Sequence, residues 1–204
     1  MPPKAKYTKE QIVDTAFSLV REQGKSALSA RTLARALGTS SAPIFTAFPN
    51  MEAVQNEVVK SAKALYRQYV EVGLQYDPPF KGAGLQYIQF ALDEPNLFEL
   101  LFMWENDGVM SHFVPSNDDN APAILQSVQD TYALPTETAK RLYNHMAVYT
   151  HGIAVLFAKT RVIFTMEEVS NMMTEALYRR IFCSSPTGKC IYWIFLSHVS
   201  MFTG

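Results

Sequence analysis

The 204 residues carry a formal net charge of −1, with 48% hydrophobic and 12% aromatic residues. That composition excludes a disordered chain and suffices for a core in one large domain or two small ones. The charge is divided along the chain: residues 1–50 hold seven Lys/Arg against three Asp/Glu, a net of +4, which leaves −5 for the rest. A basic head on an acidic body is what a protein shows when only its head meets a polyanion, although ordinary unevenness of surface charge gives the same numbers.

Helical periodicity recurs along the chain and no alternating strand-type run stands out, so the expected fold is all-α. Thr8 and Gln11 form a capping-box pattern before a stripe of Ile12, Val13, Ala16, Phe17 and Val20, and Gly24 ends that helix. Ser29 caps a short second helix with Leu33, Ala34 and Leu37, which Gly38 ends. Ser40 or Ser41 caps a third, with Pro43 in its first turn and Ile44, Phe45 and Phe48 on its buried side. Asn50 caps a long fourth helix whose stripe reads Val54, Val58, Ala62, Leu65, Tyr69 and Val72, before Asp77-Pro78-Pro79.

A second set of helices follows. One carries Leu85, Ile88 and Leu92, and the next opens at Pro95 with Leu97, Phe98, Leu101 and Phe102. Residues 105–121 read as a polar loop. Asn120 caps a helix with Ile124, Leu125, Val128 and Tyr132; Thr136 starts a long one with Leu142, Met146, Tyr149, Ile153 and Leu156. Thr165 and Glu168 form another capping box, before Val169, Met172, Met173, Ala176 and Leu177. The expected organisation is a head at 1–52, a helical body at 53–182 and an atypical apolar tail at 183–204. That tail reads as an extra packed element or a mobile end ahead of a membrane-surface contact, and it is too short to span a bilayer.

The segment Ser29-Ala-Arg-Thr-Leu-Ala-Arg-Ala-Leu-Gly38, then Thr39-Ser-Ser-Ala-Pro-Ile-Phe-Thr-Ala-Phe48, reads as helix, glycine turn, helix. Such a turn lets the second helix offer its first residues to a major groove, and its small hydroxyl side chains allow close approach to DNA. Three packed core helices without a nucleic-acid role would show the same spacing. The ordered set Ile12, Ala16-Phe17, Gly24, Leu28-Ser29-Ala30-Arg31-Thr32-Leu33-Ala34, Leu37-Gly38-Thr39-Ser40, Ile44-Phe45 and Phe48-Pro49-Asn50-Met51-Glu52-Ala53-Val54 resembles the DNA-binding domain of the TetR/AcrR family over residues 7–60.

The resemblance implies a three-helix head, a linking fourth helix, and a ligand-sensing body that dimerises through its last two long helices. It implies a regulator, a repressor released from palindromic operator DNA by a small molecule; the aromatic and Met side chains of the body favour an apolar or aromatic effector, and the polar start with two cysteines leads to the expectation of a cytoplasmic protein. On this reading DNA would be met by Lys6, Arg31, Thr32, Thr39, Ser40, Ser41, Ala42, Pro43, Phe45, Thr46 and Asn50. The sequence departs from the family where Phe45, Ala47 and Met51 stand in place of the usual Tyr, His and Lys. His151-Gly152 resembles the part of the family with a Trp-His-Gly signature, with Tyr149 near the Trp position.

The body offers Phe90, Phe98, Phe102, Met103, Trp104, Phe113, Tyr143, Met146 and Tyr149 as candidate lining of an effector pocket. Taken singly, each of these residues at helical spacing reads first as core, and it is the family resemblance that raises the pocket. No catalytic residue, cofactor, metal site or membrane partner is expected. His145 and His151 are six apart and point to different faces; Gly82-Ala-Gly84 lacks the rest of a dinucleotide fingerprint; Gly188-Lys189 lacks the upstream glycine of a phosphate loop; no Gly-x-Ser-x-Gly occurs. The rival readings are a helical protein-interaction module and a small helical enzyme. The two cysteines, Cys183 and Cys190, do not make a disulfide framework, and the polar start lacks a secretory apolar run.

Overall fold

The computed structural model describes residues 7–103, 119–160 and 164–182, and among these every regular element is helical. Lys6, Trp104, Phe113, most of the 105–121 loop and the 183–204 tail lie outside the described residues. The helices are α1 (Lys9–Gln23), α2 (Ala30–Ala36), α3 (Ala42–Ala47), α4 (Met51–Gly73), α5 (Pro79–Asp93), α6 (Pro95–Phe102), α7 (Ala121–Tyr132), α8 (Thr136–Lys159) and α9 (Met166–Phe182). A single 3-10 turn, Lys25–Ala27, joins α1 to α2.

Local chemistry sets several of these boundaries. The capping boxes form reciprocally at Thr8 with Gln11, and at Thr165 with Glu168. Asn50 Oδ1 accepts the Ala53 N–H at 2.8 Å and so starts α4. Each such cap satisfies backbone N–H groups that have no partner inside their own helix, worth about 1 kcal/mol apiece.

The stripe on α4 differs from the one the spacing predicts. Its buried residues are Val54, Val58, Ala62, Tyr66, Val70 and Gly73, while Leu65 and Tyr69 are half-buried and Val72 is exposed. Steps of four overshoot a 3.6-residue turn, so the buried side winds by about 160° from Val54 to Val70. The cause is a change of partner: α4 packs on α1 and then on α5 and α6. At its far end α4 meets α5 backbone to backbone, since a Cβ on Gly73 would lie 2.6 Å from the Gly82 carbonyl oxygen.

Comparable shifts occur in the body. Leu92 on α5 and Leu156 on α8 are exposed, and Leu85 and Tyr149 are half-buried. The interior takes Phe80, Phe90 and Ala91 from α5, and Tyr143, Thr150 and Ala154 from α8. A helix with partners on two sides needs a broader apolar face than a single three-four stripe supplies. On α9, Val169, Met173 and Leu177 are buried, and the Met173 methyl lies over Gly84. No helix among the described residues is long and apolar enough to cross a membrane.

Candidate nucleic-acid interface

The α2–α3 unit is built from its caps outward. Ser29 Oγ accepts the Thr32 N–H at 3.2 Å, and Thr32 Oγ1 accepts the Ser29 N–H at 2.9 Å. Thr32 also donates its hydroxyl to the Ala27 carbonyl at 2.6 Å, so this side chain is spent on holding the start of α2. At the other end, Gly38 has φ +65°, its N–H donates to the Arg35 carbonyl at 3.1 Å, and the Thr39 N–H donates to the Ala34 carbonyl at 2.9 Å. That pair of bonds is a Schellman turn, and the left-handed φ is the reason for glycine there. Tyr7 donates its hydroxyl to the Leu37 carbonyl at 2.5 Å, tying the approach to α1 against the same turn. Tyr7 was missed in the sequence because its partner is a backbone oxygen, which no residue type announces.

After the turn, Ile44 and Phe48 are buried in the cluster that contains Ile12, Leu33 and Val54. They decide which side of α3 faces the protein. Phe45, expected with them, is instead 48% exposed. At 100° per residue it stands well round the helix from Ile44 and cannot share its socket. Ser40, Ala42, Phe45 and Thr46 are exposed, and Thr39, Ser41 and Pro43 are half-buried. Thr46 Oγ1 donates to the Ala42 carbonyl at 2.9 Å. Arg31 and Arg35 on α2 are exposed, and the Lys9 ammonium lies 5.5 Å from the centre of the Phe48 ring. Asn50 is exposed but its side-chain oxygen caps α4.

The result is a short helix braced by two anchors, with small and apolar groups turned to solvent and cationic side chains on the neighbouring helix. Residues 12–58 match the family model described as bacterial regulatory proteins, tetR family. The head is of the TetR type. No curated protein matches the chain. The match supports a DNA-binding transcription regulator, with α2 and α3 as its helix-turn-helix. The match ends at residue 58 and therefore rests on the head and the first turns of α4.

The TetR-type head is joined to the body by more than α4. Arg21, near the end of α1, donates from Nε to Glu94 Oε2 at 2.7 Å and from its second amino group to Glu94 Oε1. Glu94 is 5% exposed and sits between α5 and α6, while the Arg21 side chain is 52% exposed. Asn96 Nδ2 donates to the Arg21 carbonyl at 2.9 Å, completing a polar latch. Beside it, Tyr69 donates to Asp93 Oδ2 at 3.1 Å. Burial and then the Asp93 carboxylate push the Tyr69 phenol up to about 12.

Of the candidate pocket residues, Phe90, Phe98 and Phe102 come together. Ring centroids are 5.2 Å apart for Phe98–Phe102 and 6.5 Å for Phe90–Phe102. Tyr66 and Tyr87 complete the cluster, each with its centroid 5.1 Å from that of Phe102. Tyr143 is buried elsewhere, beside Phe80 with centroids 6.5 Å apart. Met146 is buried in α8, and Met103 is half-buried just after α6. Tyr149 is half-buried, and burial and then Glu175 raise its phenol. Tyr87, which the sequence reading passed over, has its hydroxyl 2.9 Å from His151 Nδ1, and burial pushes the imidazole down from its ordinary value. No group of three or more metal-ligating side chains occurs among the described residues.

Proposed function

We propose that the protein is a ligand-responsive transcriptional repressor that binds palindromic operator DNA as a homodimer. The observation that carries the reading is the TetR-type head, with α3 braced so that its small side chains face outward. Residues 1–52 form the head and 53–182 the sensing and dimerising body, in the cytoplasm. Two copies of α3 would enter successive major grooves of one duplex.

Support for the homodimer comes from α8. Gly152 is exposed in mid-helix with nothing within 4 Å of an added Cβ, and it lies between Val148 and Leu156, which are 62% and 46% exposed. Glycine in a helix interior costs about 1 kcal/mol relative to alanine. A second subunit crossing closely at that point accounts for the glycine and covers its apolar neighbours.

A small apolar or aromatic effector would bind among the body helices near Phe98, Phe102, Tyr87 and His151. It would release DNA by favouring a different seating of α4 and of the Arg21–Glu94 latch, shifting the balance only by its differential affinity for the two states. The test is selection of duplexes from a random pool by the full-length protein, followed by titration at several salt concentrations. One enriched palindrome, bound by two chains and weakened steeply by salt, is the expected result. Enrichment of no sequence would reject the reading.

A further inference from the structure

The side of α3 that faces away from Ile44 carries Ala42 and Thr46 at its centre, with Phe45 and Pro43 on its flanks. From Thr39 to Phe48 there is no Arg, Lys, His, Asn, Gln, Asp or Glu. A major groove shows guanine as two acceptors, which Arg or Lys reads in pairs. It shows adenine as an acceptor and a donor, which Asn or Gln reads, and cytosine as a donor, which an acidic side chain reads. This helix has none of those readers. The Thr46 hydroxyl donates its hydrogen bond to the Ala42 carbonyl, so it offers a methyl and an oxygen that accepts. The hydroxyls of Ser40 and Ser41 bond to phosphates or to any base acceptor without telling bases apart.

One base-edge feature does match Ala42, Phe45 and the Thr46 methyl: the C5 methyl group of thymine. Phe45 is 48% exposed on a head whose Ile12, Ile44 and Phe48 are buried. A large apolar side chain left in water on the face that would meet DNA has most to gain from an apolar group on that DNA. We infer that α3 reads its duplex through thymine methyl groups, with Phe45 as the specificity-determining residue and Ala42 and Thr46 beside it. Arg31, on α2, keeps its guanidinium for a phosphate or a guanine edge outside this stretch. The inference rests on the proposed binding of duplex DNA by the head.

The experiment takes the best duplex selected from the random pool and resynthesises it with deoxyuridine at one thymidine at a time. Deoxyuridine keeps the pairing and the O4 acceptor and loses only the methyl. The expected result is a loss of about fourfold in affinity at one or more positions of each half-site, the equivalent of one buried methyl. Phe45→Ala, at an exposed position, should melt as the unaltered protein does, bind the thymine duplex more weakly, and be indifferent to deoxyuridine at the position that Phe45 covers. Unchanged affinity at every substituted position, or the same factor lost by both proteins, would overturn the inference while leaving DNA binding intact. Enrichment of no duplex would defeat the binding reading itself and this inference with it.

Discussion

Two residues of the described chain combine burial with an ionisable group in ways that a measurement can reach. Burial lowers the His151 imidazole below its ordinary value of 6.5. The unfolded chain therefore takes up that proton more readily than the folded one, so the folded state is unaffected above the ordinary value and loses stability as pH falls through it. Thermal melts at about pH 7.5 and about pH 5.5 should show a drop that is smaller in His151→Gln. An equal drop in both proteins would assign it to other groups. Glu94 is the second case: with a 5% exposed carboxylate, it depends on Arg21 for its counter-charge. Arg21→Ala should cost about 1–3 kcal/mol, below the value for a fully buried pair because the Arg21 side chain is half in water. Denaturant titration reads that loss, and Arg21→Lys should restore only part of it because one planar fork makes both bonds.

Among the elements, the crossing of α4 and α5 is fixed by glycines rather than by side-chain complementarity. A Cβ on Gly82 would stand 2.1 Å from the Gly73 carbonyl oxygen, and that oxygen belongs to backbone that cannot step aside cheaply. Gly73→Ala and Gly82→Ala should each destabilise by about 1–3 kcal/mol, read as a lowered melting temperature. Gly152 on α8 gives the opposite expectation in an isolated chain, where alanine has open space and should stabilise the helix by about 1 kcal/mol. In the proposed dimer, Gly152→Leu should instead drive subunits apart. Sedimentation of this variant and the parent at equal concentration distinguishes the two.

Capping residues made the elements legible from sequence: Thr8, Asn50 and Thr165 mark their helices correctly because a cap is a local interaction between neighbours in the chain. The outward turn of Phe45 and the inward turn of Tyr66 and Val70 were not legible. Each depends on which helix lies opposite, and that is decided by contacts between segments far apart in sequence. The pairing of Tyr87 with His151 escaped for a related reason, since the two lie on α5 and α8 and meet only through the fold. The head was readable because its residue order resembles a family; the aromatic body offered only residues that serve core and pocket alike.

For the molecule as a whole, the proposed function predicts reciprocity. Duplex DNA and an effector found by screening apolar compounds should weaken each other's binding by the same factor, because both act on one balance between states. Titrating each ligand in the presence of the other checks this, and independent binding would dismiss the coupling. The material for such coupling is the α4 helix, whose buried side winds by about 160° along its length. A rod seated in two sockets set at an angle behaves as a keyed shaft. It cannot spin in one socket without tearing loose from the other. In the proposed dimer, what would reach the DNA end of α4 is therefore a swing of the entire rod, and the spacing of the two reading heads is the quantity that such a swing would alter.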